Sequence, residues 1–104
     1  MVDGDVLSIY YSRAGDCPER ILLSTVVLTD DWLSWQATSP LTVLEPTLEH
    51  EGADLAVAPS KRGWAPERVR QLRDPAIYRE DDATYLLYSV AGESGIAIAR
   101  LYEV

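Results

Sequence analysis

Apolar and polar positions in this chain fall into short runs separated by turn residues, and the runs are rich in β-branched and aromatic side chains. Val6–Ser12 alternates loosely, and Arg20–Leu28 carries Ile21, Thr25, Val26 and Val27, all good strand formers. Asp16-Cys17-Pro18-Glu19 between them reads as a turn, with a proline where no ladder hydrogen bond is needed. Asp30-Asp31-Trp32 predicts a turn or a single helical turn capped by an Asp. Trp35–Ala37 and Thr42–Leu44 read as a third strand broken around Pro40, which suits an outer edge. Pro75–Arg79, Thr84–Val90 and Ile96–Leu101 complete a set of six predicted strands, the first two joined through Glu80-Asp81-Asp82-Ala83 as a tight hairpin.

One short segment occurs twice. Tyr11-Ser12-Arg13-Ala14-Gly15 returns as Tyr88-Ser89-Val90-Ala91-Gly92, each copy preceded and followed by an apolar run. The unit is strand, turn, strand, and a repeated hairpin points to a repeat architecture. The stretch Glu45–Gln71 is different. It carries Pro46, Pro59, Pro66, Gly52 and Gly63, lacks a sustained period, and offers only Pro66–Leu72 as a short helix. A loop this long in a small domain signals function or a faulty strand assignment, and the chemistry-bearing residues flanking it favour function.

A propeller blade is four antiparallel strands, inner to outer. In that register residues 1–44 supply the second, third and fourth strands of one blade and residues 73–104 supply the first, second and third strands of the next. Residues 45–72 form the connecting functional loop. The fold class expected is all-β: a single domain forming a partial propeller of about one and a half blades, against the four to eight of a closed one. The first blade has no innermost strand in this reading, since only five residues precede Val6. Open strand edges at both ends invite self-association.

With 104 residues the core is modest and one domain is the ceiling. The net charge of −8 repels phosphate backbones and anionic lipid, which argues against nucleic acid and membrane as partners and leaves cations and neutral polar ligands open. A single cysteine, Cys17, excludes an intrachain disulfide, and its neighbours Asp16 and Glu19 disfavour a reactive thiolate. The N-terminus lacks the basic start and apolar run of a signal peptide, and no run reaches membrane-spanning length, so the expectation is a soluble cytoplasmic protein. No cofactor is indicated. His50, Glu51 and Asp54 have no recognised metal-ligand spacing, so no metal is expected either.

Three motifs carry a resemblance to a known superfamily. They are Leu72-Arg73-Asp74-Pro75; the run Ile9-Tyr10-Tyr11-Ser12, Ile21-Leu22-Leu23-Ser24, Asp31-Trp32-Leu33-Ser34-Trp35; and Tyr85-Leu86-Leu87-Tyr88-Ser89 leading into Gly95-Ile96-Ala97-Ile98-Ala99. Together they resemble the five-bladed propeller glycoside hydrolases of families 32, 43, 62 and 68, the invertase, arabinanase and levansucrase group. The resemblance implies a catalytic role for Asp74, matching the Asp of the Arg-Asp-Pro signature, which holds sugar hydroxyls and opposes positive charge developing on the ring. It implies a second catalytic candidate in Glu51, a Glu before Gly, although the general-acid Glu of the family follows the Arg-Asp-Pro blade and Glu51 precedes it. Arg73, Trp64, His50 and Asp54 are the accompanying substrate-binding candidates. Read without the resemblance, Asp74 caps the turn before Pro75 and Glu49–Asp54 is a solvated acidic loop.

Glycoside hydrolysis needs two carboxyl groups flanking the scissile bond. No second innermost-strand Asp is present, so the expectation is a glycosidase-like fragment that binds carbohydrate and hydrolyses it only within a complete propeller. The alternative is a non-catalytic β module recognising carbohydrate or a protein through its Tyr and Trp residues, which stack well and carry a polar edge.

Overall fold

The computed structural model describes residues 1–102, and it is all-β: two antiparallel sheets, no closed barrel and no long helix. The first sheet is a meander of β1 (Val2–Asp3), β2 (Val6–Tyr11), β3 (Ile21–Val27) and β4 (Leu41–Leu44). The second is a meander of β5 (Arg73–Glu80), β6 (Ala83–Val90) and β7 (Gly95–Leu101). Neighbouring strands are consecutive in sequence throughout, as expected where short turns join antiparallel partners.

Several expectations need correction. The first sheet has a further short strand ahead of Val6: Val2 pairs with Leu7 and Asp3 with Val6, across a turn in which Gly4 takes φ 59. The third predicted strand is only Leu41–Leu44. Trp35–Ala37 lies outside any ladder, and Thr38 alone ties that stretch to β3, its N–H donating to the Thr25 carbonyl at 2.9 Å. The helical turn falls on Trp32–Ser34, but the Asp31 side chain caps nothing; the Ser34 hydroxyl and N–H instead donate to the Asp31 carbonyl. Pro66–Leu72 forms no helix, because its backbone N–H groups are used elsewhere. Val69 N–H donates to Ala91, and Leu72 N–H to Glu19 at 3.0 Å.

One core serves both sheets. Ile21 from β3 meets Leu86, Tyr88 and Val90 from β6, with Leu72 from the end of the connecting loop between them. Ile21, Leu72 and Leu86 are fully buried. At about 1.5–3 kcal/mol for each such side chain, these contacts are the main favourable term available to so small a core.

The repeated segment does the same job twice. Each copy closes a strand, β2 or β6, and turns toward the next with a glycine at positive φ: Gly15 at 96 and Gly92 at 78. Each turn then grips the connecting loop. Gly15 N–H donates to the Ser60 carbonyl and Ser60 N–H returns a bond to Asp16; Gly92 N–H donates to Gln71. Gly92 has no substitute here, since a Cβ would stand 2.7 Å from Val69 Cγ2. The middle of the loop, at Ser60, and its C-terminal end, at Gln71, are thereby fixed to the two turns.

Candidate functional site

An open recess of about 360 Å³ lies where these turns and the loop meet. Its walls include Ala14 from the first turn, Glu93 from the second, Lys61-Arg62-Gly63-Trp64 from the loop, Glu19 before β3, and Arg73 and Asp74 at the start of β5. Three of the residues singled out in sequence, Arg73, Asp74 and Trp64, therefore share one site.

Arg73 is the post around which the recess is built. It is 8% exposed, and its guanidinium pairs with Glu19 at 3.6 Å, itself buried and receiving the Ser12 hydroxyl at 2.7 Å. Its N–H groups donate to Gln71 Oε1, to the Gly63 carbonyl at 2.7 Å and to the Lys61 carbonyl at 3.3 Å. A buried charge is tolerated only when paired and hydrogen-bonded, and this one is both. The bonds to Lys61 and Gly63 hold the loop backbone in place, so Arg73 positions the recess rather than facing a ligand with free donors.

Asp74 stands beside it on an irregularity in the β5–β6 register, between the Arg73–Ser89 and Ala76–Leu87 pairs. Its φ of 51 is left-handed, a region that Asp and Asn tolerate better than other non-glycine residues. The side chain is exposed, and its one hydrogen bond among the described residues is a long one, 3.4 Å from the Ser89 hydroxyl to Oδ2. Most of its acceptor capacity is open to a ligand. Trp64 is 78% exposed on the same rim, an unusual position for the largest apolar side chain.

Glu51 lies elsewhere. It is 2% exposed inside a 3₁₀ turn (Glu49–Glu51), where Oε1 accepts from Thr47 N–H and Leu48 N–H at 3.1 Å each and more weakly from the Thr47 hydroxyl. Oε2 accepts the Tyr88 hydroxyl at 2.8 Å. Burial pushes its carboxyl up, but the bonds from Tyr88, Thr47 and Leu48 and the neighbouring His50 outweigh it and leave it below the usual range. Burial and the adjacent Glu51 carboxylate push the Tyr88 phenol up, so it stays a donor. His50 is exposed on that turn and Asp54 pairs with Arg68 at 3.3 Å. None of the three lines the recess. Glu19 and Glu93 do line it without having been singled out. Glu93 Oε2 accepts the Ala65 N–H at 2.7 Å, fixing the loop just beyond Trp64.

Among the described residues no group of three or more His, Cys, Asp or Glu side chains is arranged to hold a metal ion, and no helix is long and apolar enough to cross a membrane. No protein-family model matches the chain and no solved structure matches it. The chain is similar to an uncharacterized protein of Acanthamoeba polyphaga mimivirus, 50% identical over 99 residues. That alignment covers 94% of this chain but 28% of the viral protein, so the chain spans under a third of its relative's length.

Proposed function

We propose that this chain is the sugar-binding section of a glycosidase-like propeller, about one and a half blades of it, receiving a glycoside in the recess between Trp64 and Asp74. The observation that carries the reading is the pairing of a solvent-facing indole with a carboxylate whose acceptors are largely unused. An aromatic face stacks on the C–H face of a sugar ring, and a free carboxylate takes its hydroxyls in charge-assisted bonds. The two four- and three-stranded meanders sharing one core support the blade reading, as do the equivalent turns. The much longer viral relative agrees with a chain that acts alongside further blades. The exposed row Ile96 and Ile98 on β7 offers a face on which another sheet packs.

Hydrolysis by this section alone is not part of the proposal. Of the carboxylates at the recess, Glu19 is committed to Arg73 and Glu93 to Ala65, which leaves Asp74 without a free partner acid. Calorimetric titration with arabino-, xylo- and fructo-oligosaccharides tests the binding. Wild type is expected to bind at least one class, and Asp74→Asn to lose that affinity with no change in melting temperature. Equal affinity in the two proteins would remove the sugar site. Steady turnover of aryl arabinosides, aryl xylosides or sucrose by this chain would remove the claim of incompleteness.

A further inference from the structure

We infer that the glycoside taken by this recess carries an anionic group, a carboxylate or a phosphate, which Lys61 and Arg62 receive; the inference rests on the sugar-binding reading above. It comes from following every cation in the chain to its partner. There are nine Lys and Arg side chains. Arg13, Arg20, Arg68, Arg73 and Arg79 pair with Asp16, Glu45, Asp54, Glu19 and Asp3. Arg70 donates to the Leu55 carbonyl, and Arg100 lies over the Tyr102 ring at 4.9 Å. The two left with neither a side-chain nor a backbone partner among the described residues, Lys61 and Arg62, are adjacent and line the same recess as Trp64 and Asp74.

Acidic groups outnumber basic ones by 17 to 9 in this chain, and these two neighbouring cations still meet no carboxylate among the described residues. Nor are they carried on a loose loop. The buried Arg73 guanidinium donates to the carbonyls on either side of Arg62, those of Lys61 and Gly63, and is itself anchored on Glu19. The tripeptide is held before any ligand arrives, which lowers the ordering cost of binding. A guanidinium fork and an ammonium side by side suit the oxygens of a carboxylate or phosphate. Asp74, across the recess, cannot serve such a group and is left for hydroxyls. The long-range field of the protein repels anions, so selectivity for an acidic sugar must come from these two local charges.

The test is calorimetry on matched pairs: a galacturonic acid trisaccharide against its methyl ester, glucose 6-phosphate against glucose, and inorganic phosphate alone. The acidic member of one pair is expected to bind about tenfold tighter than its neutral partner, and which pair shows the gap identifies carboxylate or phosphate. In a Lys61→Gln, Arg62→Gln double variant with wild-type melting temperature, the gap is expected to close while neutral-sugar affinity stays. Neutral and acidic forms binding equally to wild type would overturn this inference and leave the sugar reading standing. A gap that persists in the double variant, or inorganic phosphate binding as tightly as the sugar phosphate, would overturn it as well. Binding of no sugar, acidic or neutral, in these pairs or among the arabino-, xylo- and fructo-oligosaccharides would remove both.

Discussion

Glu51 and Asp74 are the two acids the sequence singles out as catalytic candidates, and the fold treats them in opposite ways. A carboxylate offers about four acceptor positions. At Glu51 four donors engage both oxygens, two backbone N–H groups and the Thr47 hydroxyl on Oε1 and the Tyr88 phenol on Oε2, around a buried side chain. At Asp74 a single long bond leaves most of those positions vacant beside an exposed Trp. A saturated carboxylate holds structure together, and an unsaturated one is available for a ligand. Residue type and neighbouring sequence did not separate the two; the count of donors does.

The largest effect expected lies beside Asp74, at Arg73. Arg73→Ala strips the counter-charge from buried Glu19 and releases the Lys61 and Gly63 carbonyls, which should cost about 3–5 kcal/mol in urea denaturation. A loss below about 1 kcal/mol would mean that the recess is not built on Arg73. Next is Glu51→Ala, which orphans the Tyr88 hydroxyl and two N–H groups and should cost about 2–4 kcal/mol. The surviving folded fraction should bind sugar as wild type does; lost affinity would break the contrast.

The pH dependence of Glu51 is smaller. Its folded-state carboxyl lies below the 4.5 of a free Glu, so the unfolded chain binds the proton more readily. That stabilisation is complete above 4.5 and is lost as pH falls through the folded-state value. The melting-temperature gap between wild type and Glu51→Gln should therefore narrow from about pH 5 to about pH 3, and a constant gap would contradict the assignment. Smallest is the backbone at Asp74. Asp74→Asn should be neutral to within about 0.5 kcal/mol, whereas Asp74→Val, forced into a left-handed conformation, should cost about 1–2 kcal/mol by the same denaturation assay.

β2, β3, β6 and β7 were legible from their β-branched and aromatic runs, and the Glu80–Ala83 hairpin from its Asp pair, where Asp81 takes φ 52. The repeated Tyr-Ser segment marked two turns at equivalent places, after β2 and β6, which differ in length, 12–20 against 91–94. β1 escaped because a two-residue strand leaves no period to read. Pro66–Leu72 misled because its local propensity is overridden by bonds to Ala91 and Glu19, distant in sequence. The same cause hid part of the site. Asp74, Arg73 and Trp64 announce themselves by a motif and a loop Trp, but Glu19 and Glu93 enter the recess only through chain crossings that no spacing encodes.

The shared core has a further consequence for chain continuity. Lys61 and Arg62 are exposed on the loop, and if trypsin cuts there the pieces on either side of the cut do not own separate cores. Ile21 belongs to the first piece and Leu72, Leu86 and Tyr88 to the second, with Asp3 and Arg79 clasping across the sheets at 3.0 Å. A nicked molecule should therefore stay associated without a covalent link, each piece acting as the other's missing interior. The peptide bond at the recess rim is then a severable joint in a structure whose two halves are one folding unit.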